Sequence, residues 1–529
     1  MEISPFEFKN KLISLAEGHK KATRTLLNAG RGNPNWVAAT PREAFFALGQ
    51  FAVQESRRTW NERDLAGHPE REGVALRFGA FIRDNQTVPG VQLLKDVVDY
   101  GIRHYRFEPD EWVYELVDGI MGDNYPQPDR MLVRIEQLVH DFLIRELGFP
   151  PGAGHVFDLF AVEGATAAMS YLFDSLAANY LLLPGDRVAM MVPIFAPYIE
   201  IPDLKRYDFE IVELKATAVD QKGKHIWQYP DAEIAKLADP SIKALFLVNP
   251  SNPPSVAIEP QSVKRLKQIV TEQNPNLMLI SDDVYATFVD QFRSMAVDLP
   301  FNTLVIYSFS KYFGVTGWRL GVVALPPDNV FDHLLRQLPS DRAAILRERY
   351  SSLSSAPAEI RFIDRMVADS RQVALNHTAG LSTPQQVQMS LFAAFALLDR
   401  ENTYKRQTKE ICHRRIKLLY EGLGLPQPNL PYDADYYTQF DLEEWANFHY
   451  GKEFTAYLQK NYTVEDILFR LAENSAIVLL NGGGFHGPAW SVRVSLANLD
   501  DAAYAKIGQE LRSVLAEYVE EWRSSAARP

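Results

Sequence analysis

Between residues 156 and 325 the chain alternates short apolar runs with longer amphipathic stretches. Runs such as Ala244-Leu245-Phe246-Leu247-Val248 and Leu304-Val305-Ile306-Tyr307 are continuous rather than alternating. That pattern predicts strands covered on both faces. It places strands at 156–162, 188–193, 209–214, 242–248, 277–281, 303–308 and 320–325, with helices between them that include 166–182 and 262–273. Strands that alternate with helices predict an α/β fold: a mostly parallel seven-stranded sheet with helices on both faces. In such sheets ligands bind beyond the carboxyl ends of the strands.

The flanking regions read differently. Residues 37–120 are largely helical in pattern and rich in charge and aromatics, as in Arg57-Arg58-Thr59-Trp60. Residues 326–375 read as a helical insertion whose charge run at 342–349 suits a solvated helix face. Beyond about residue 375 the pattern is mixed α+β, with helices at 383–398 and 404–422. The expected organisation is therefore an N-terminal segment and helical extension over 1–120 that partly joins a small domain. A large α/β domain follows over 121–375, and a small α+β domain over 376–529. No internal repeat or low-complexity tract interrupts it.

Composition narrows the function classes. The 529 residues suffice for two or more large cores, and 47% apolar with 23% charged residues is ordinary for a soluble globular protein. A net charge of −12 weighs against nucleic acid as the main partner. Cys412 is the single cysteine, so no internal disulfide can form. It reads as a small buried apolar residue, and its isolation fits a reducing compartment. The first eleven residues carry Glu2, Glu7 and Lys9 and do not read as a signal peptide, and no uncharged run is long enough to span a bilayer. A cytoplasmic protein without a membrane partner is expected.

Candidate chemistry centres on the segment from Tyr307 to Gly321. One lysine, Lys311, lies just past an apolar strand, with hydroxyls at Ser308 and Ser310 and a guanidinium at Arg319. An amine, hydroxyls and a guanidinium held together suit a cofactor that carries an aldehyde and a phosphate, which is pyridoxal 5′-phosphate. The pattern S-x-S-K-x7-R-x-G resembles the lysine segment of the fold-type I pyridoxal phosphate enzymes, the class I/II aminotransferase superfamily. The resemblance implies that Lys311 forms the Schiff base and that Ser308, Ser310 and Arg319 hold the phosphate. Ser281-Asp282-Asp283-Val284-Tyr285 follows another buried strand. A carboxylate there is costly without a partner, and a protonated pyridine nitrogen would be one. The superfamily's D-[DE]-x-Y motif implies that role for Asp282, with Tyr285 donating to the phenolic oxygen.

Further fragments fall in the order this superfamily has. Asn249-Pro250-Ser251-Asn252-Pro253-Pro254-Ser255 resembles its N-P-x-N-P-T-G motif, which implies Asn252 at the phenolic oxygen; here Pro254-Ser255 stands where Thr-Gly is usual. Glu163-Gly164-Ala165-Thr166 joins a strand to a helix, and free N–H groups at a helix start favour phosphate. It resembles the first phosphate loop, which implies Gly164, Ala165 and Thr166. Phe195, two residues after Pro193, takes the place of the aromatic that stacks on the pyridine ring. Asp123-Asn124-Tyr125-Pro126 resembles the segment whose tyrosine reaches the neighbouring subunit's phosphate, which implies Tyr125. Trp490-Ser491-Val492-Arg493-Val494-Ser495 resembles the R-[IVL]-S strand that binds the substrate α-carboxylate, which implies Arg493 and a bidentate pair.

The extended N-terminal region, Asn28-Ala29-Gly30-Arg31-Gly32-Asn33-Pro34-Asn35-Trp36, the Pro-Ser ending of the Asn252 motif and His377-Thr378-Ala379-Gly380-Leu381-Ser382 look together like the aspartate β-decarboxylases. This narrower resemblance covers nearly the whole chain. It implies a carboxy-lyase that converts L-aspartate to L-alanine and CO2 through aldimine, quinonoid and ketimine intermediates. It also implies aminotransferase side activity toward a keto acid such as pyruvate or 2-oxoglutarate. Arg493, Asn252, Arg31 and Thr378 are then the expected substrate contacts. A homo-oligomer built from dimers, up to a dodecamer, is implied as well; no metal site is expected. Two other readings remain at this point. One is an ordinary aminotransferase of aspartate or another amino acid. The other is a regulator on the same fold, which the acidic balance and the lack of a basic helix-turn-helix segment oppose.

Overall fold

The structure is a computed structural model that describes residues 4–18, 26–60, 65–123, 130–371 and 380–526. The chain folds into two compact units. The first comprises Met1–Trp36, Pro184–Phe292 and Lys405–Pro529; the second comprises Val37–Leu183 and Arg293–Tyr404.

In chain order the strands are β1 (Leu27–Asn28), β2 (Asp158–Val162), β3 (Arg187–Val192), β4 (Glu210–Lys215), β5 (Ile242–Val248) and β6 (Met278–Asp282). They continue with β7 (Thr303–Ser308), β8 (Gly321–Leu325), β9 (Tyr437–Asp441), β10 (Ile477–Val478), β11 (Leu480–Asn481) and β12 (Ser491–Ser495). Seven of them form a mixed sheet in the order β2-β8-β7-β6-β5-β3-β4. All seven lie within two residues of the spans expected from the apolar runs. Within the first unit β3 pairs parallel with β4 and β5, and β5 with β6. Between β5 and β6 the crossover is the helix Pro260–Glu272, as parallel neighbours require. Within the second unit β8 runs antiparallel to both β2 and β7. The cause is local: β7 and β8 are joined by the loop Phe309–Leu320 with no crossover α-helix, and the Phe309 N–H closes its base on the Leu320 carbonyl at 3.0 Å. That loop carries Lys311 and Arg319.

The first unit also holds a three-stranded antiparallel sheet, β11-β12-β9. Its core joins Val492 and Val494 of β12 to Leu468 and Leu471 of the helix Val464–Ser475 and to Tyr504, Leu511 and Tyr518 of the helix Asp501–Ala526. The N-terminal helix α1 (Pro5–Gly18) opens on a proline, which its fixed φ suits, and buries Leu12 and Ala16 in the same core. The chain then pairs β1 in parallel with β10, and the Ser495 N–H donates to the Ala29 carbonyl at 2.8 Å.

In the second unit the helices α2 (Ala39–Arg58), α3 (Val74–Asp84), α4 (Val91–His104), α5 (Pro109–Met121) and α6 (Val133–Glu146) form a cluster. Of these, α2, α4, α5 and α6 pack on the largely buried helix Thr383–Leu398. Next, α7 (Ala165–Ala178) follows β2 directly. Among the described residues no helix is long and apolar enough to cross a membrane, and no group of His, Cys, Asp or Glu could hold a metal ion.

Candidate active site

In the first unit, Asp282 ends β6 and is buried. Its Oδ2 accepts a hydrogen bond of 2.5 Å from the Tyr198 hydroxyl, and its Oδ1 accepts one of 3.2 Å from the Val284 N–H. Burial, and then the Asp282 charge, push the Tyr198 hydroxyl well above its ordinary pKa. Tyr198 is thus held as a donor that fixes the carboxylate in place. Three residues beyond Asp282, the buried Tyr285 comes within 3.5 Å of Asn252 Nδ2, close enough for both groups to donate to one acceptor oxygen. The Tyr285 hydroxyl donates to that of Tyr437 at 3.0 Å. Burial, then the nearby Tyr437, raise the Tyr285 pKa well above the usual phenol value. Phe195, half-buried, meets Tyr198 edge-on at 5.4 Å and Phe6 of α1 at 5.8 Å.

Arg493 is the central cation of this unit. It lies on β12 and is only 1% exposed. Nη1 donates to Asn252 Oδ1 at 3.1 Å and Nη2 to the Gly30 carbonyl at 2.9 Å, while Nε has no hydrogen-bond partner among the described residues. Its guanidinium carbon lies 4.5 Å from the centre of the Tyr437 ring and 4.9 Å from that of Phe485. No carboxylate pairs with it among the described residues. A buried guanidinium without an acid is costly, and burial accordingly lowers its pKa. The arrangement suits an incoming carboxylate: Nε–H and the second hydrogens of both Nη atoms remain to be donated.

The N-terminal segment adds two more cations. Lys9 of α1 has its ammonium pKa lowered, first by burial, then by Arg31 and by Arg493. Arg31 is exposed, on a loop tied down through its neighbours. Asn28 Oδ1 accepts from the Gly30 N–H at 3.0 Å, the Tyr436 hydroxyl donates to the Gly32 carbonyl at 2.9 Å, and Arg415 Nη2 donates to Asn35 Oδ1 at 2.8 Å.

In the second unit the phosphate-type groups converge at the start of α7. Gly164 precedes that helix at φ +94°, and among the described residues no side chain caps the helix's first N–H groups. A Cβ on Gly164 would lie 2.6 Å from Arg319 Nη2, so only glycine admits the guanidinium there. A Cβ on Gly321 would similarly lie 2.6 Å from Gly164 Cα. Ser308 and Ser310 are buried, and the Ser310 N–H donates to Ser308 Oγ at 3.3 Å. These N–H groups, two hydroxyls and an arginine could hold a phosphate. The half-buried Lys311 sits in the same loop. Helix α2 pins that loop: Arg42 Nη2 donates to the Gly314 carbonyl at 2.6 Å, Nη1 donates to that of Phe313 at 3.4 Å, and its guanidinium lies 5.2 Å from the Trp318 ring. The Tyr404 hydroxyl donates to the Tyr312 carbonyl at 3.1 Å, and Gln385 Nε2 to that of Trp318 at 2.9 Å.

Of the expected residues, Asp282, Tyr285, Asn252, Phe195, Arg493 and Arg31 fall in the first unit, where hydrogen bonds link Asn252 to both Tyr285 and Arg493. Gly164, Ala165, Thr166, Ser308, Ser310, Lys311 and Arg319 fall in the second, on two adjoining segments. Tyr125 and Thr378 lie outside the described residues. Sequence reasoning missed Tyr198, Tyr437, Lys9 and Arg42. Tyr198 could have been found as the i+3 neighbour of Phe195 at a helix start, and Tyr437 from its place on a strand opposite the arginine strand. Neither Lys9 nor Arg42 carries a local signal.

Comparison with known proteins gives the family and the fold. The sequence model of the family Aminotransferase class I and II matches residues 161–511. A bifunctional aspartate aminotransferase and L-aspartate beta-decarboxylase of Pseudomonas sp is 47% identical over 524 residues, which cover 99% of this chain and 97% of that protein. Among solved structures, the aspartate aminotransferase from Thermus thermophilus with maleate has a TM-score of 0.58 at 17% identity, with 97% of each chain covered. The aromatic aminotransferase from Pyrococcus horikoshii OT3 has a TM-score of 0.57 at 17% identity, covering 96% of this chain and 99% of its own. At such identities the structural likeness speaks for the fold.

Proposed function

The chain belongs to the class I and II aminotransferase family, and from that premise we propose that it converts L-aspartate to L-alanine and CO2, with amino transfer to a keto acid such as pyruvate or 2-oxoglutarate as a side reaction. The observation that carries this reading is the buried, acid-free guanidinium of Arg493, with Arg31 and Arg493 both close enough to Lys9 to lower its pKa, a setting for a substrate with two carboxylates.

The family's cofactor is pyridoxal 5′-phosphate, and the residues present fit it. The uncapped start of α7, Ser308, Ser310 and Arg319 suit its phosphate; Asp282 suits a proton on its ring nitrogen; Asn252 and Tyr285 suit its phenolic oxygen; Phe195 suits the ring face. When bound it supplies an electron sink for charge that develops at the substrate's α-carbon. In this proposal the Lys311 amine would hold the cofactor's aldehyde and, when free, would serve as the base that takes the proton from the substrate's α-carbon. Asp282, fixed by Tyr198, keeps the ring nitrogen protonated. Arg493 orients the α-carboxylate through its Nε–H and remaining Nη hydrogens.

The distal carboxylate falls to Lys9 and Arg31, which sit on a helix and an exposed loop rather than on a buried strand. A tight arginine pair would stabilise that carboxylate and oppose its loss; looser cations oppose it less. The bond from Cβ to the carboxylate breaks and CO2 leaves, the electron pair stays with the Cβ side, Cβ takes up a proton, and the proton removed from the α-carbon is returned to it, which yields alanine. We also propose a homo-oligomer built from dimers. Phe46 and Val53, seven residues apart on α2 and both exposed, support an interface there.

Incubating the holoenzyme with L-aspartate and no keto acid tests the proposal. Alanine and CO2 should appear in equal amounts over many turnovers. Release that ends after a single turnover, or that requires added keto acid, would leave an aminotransferase only.

A further inference from the structure

Tyr437 occupies a position that the chemistry above does not use. It is buried on β9, its hydroxyl accepts from Tyr285 at 3.0 Å, and its ring centre lies 4.5 Å from the Arg493 guanidinium. It therefore touches both the phenolic-oxygen donor and the carboxylate-binding cation. Its backbone is anchored in an unusual way. The N–H groups of Tyr436 and Tyr437 donate to Ser255 Oγ at 3.1 and 3.3 Å. Ser255 is 0% exposed and sits at φ +71°, in the left-handed region that disfavours a side chain.

Glycine would relieve that strain, and the superfamily pattern has glycine in this turn. What serine supplies and glycine cannot is an acceptor for two buried amides, each costly to leave unpaired. The turn is fixed further by the Ala434 N–H on the Ser255 carbonyl at 2.8 Å and the Ser255 N–H on that of Ser251 at 2.9 Å. Since Asn252 lies three residues before Ser255, one hydrogen-bonded unit joins the Asn252 turn, the start of β9, Tyr285 and Arg493.

We infer that Tyr437, locked in place by Ser255, is a positioning residue that sets the donor strength of Tyr285 and the pose of Arg493. The inference rests on the proposed cofactor reading. The two hydroxyls can rotate so that Tyr437 donates to Tyr285 while Tyr285 donates onward to the phenolic oxygen. A hydroxyl that accepts one hydrogen bond is polarised and donates more strongly. Stronger donation favours the ionised phenolic oxygen, so it lowers the pH at which the near-ultraviolet and visible absorption of the holoenzyme changes.

The test is a pH titration of that absorption in the wild type, Tyr437→Phe, Ser255→Ala and Ser255→Gly, with melting temperatures and KM for aspartate measured alongside. Tyr437→Phe should raise the spectral midpoint by about half a pH unit, the scale of one lost neutral hydrogen bond. Both Ser255 variants should move it the same way by less and raise KM, although glycine relieves the strain and should melt no lower than alanine. A Tyr437→Phe protein with the wild-type midpoint and KM would reduce Tyr437 to core packing and overturn the inference alone. A wild type that takes up no cofactor would overturn the reading beneath it as well, and the inference with it.

Discussion

A buried arginine without an acid is the residue on which the proposed substrate recognition turns. Arg493 has two of its nitrogens committed to Asn252 and Gly30 and the third unpartnered, so its remaining donors are ordered before any ligand arrives. Replacement of Arg493 by Gln should cost about 3–5 kcal/mol, or roughly 10²- to 10⁴-fold in kcat/KM for aspartate. Lysine should restore little of it, because an ammonium cannot reproduce the fork. Lys9 yields a pH signature. Burial, Arg31 and Arg493 hold its ammonium below the ordinary lysine pKa, so the charge is present at low pH and lost as pH rises through that lowered value. KM for aspartate should therefore climb on the alkaline side earlier than an ordinary lysine would dictate, and Lys9→Met should abolish that limb in a KM–pH profile. Arg493 is legible in the sequence because it interrupts an apolar strand. Lys9 is not, because its meaning depends on a neighbour 484 positions away that only the fold brings near.

At the scale of elements, the start of α7 is the most constrained feature. Gly164 is held at φ +94° with the Arg319 guanidinium against it. Gly164→Ala combines backbone strain with a clash, and should weaken cofactor affinity by about tenfold or more, the effect of roughly 1–3 kcal/mol, as read by fluorescence titration of the apoprotein. The strands were readable from residue pattern alone because both faces of the sheet are covered and the runs are unbroken, as in Ala244 to Val248. The antiparallel course of β8 is set by Phe309–Leu320, which contains no crossover α-helix. What the helices of 37–120 do was not readable at all. Arg42 of α2 reaches the carbonyls of Phe313 and Gly314, 271 and 272 positions on, and no periodicity encodes such a contact. The Pro254-Ser255 departure from the usual motif was visible, but its reason is the two amides of Tyr436 and Tyr437, which belong to a distant strand.

Over the whole molecule, each compact unit is assembled from separated stretches of chain. Met1–Trp36 belongs with Lys405–Pro529, through the β1–β10 pairing and the hydrogen bond between Asn35 and Arg415. Most candidate groups lie at strand ends or helix starts, where backbone geometry fixes them. The proposed chemistry depends on one covalent attachment, at Lys311. Reduction of the cofactor-loaded wild-type protein with borohydride, followed by proteolysis and mass spectrometry, tests it most directly. A pyridoxyl adduct on Lys311, with loss of the visible band and of aspartate turnover, is the predicted result; an adduct on another lysine, or none, would contradict it.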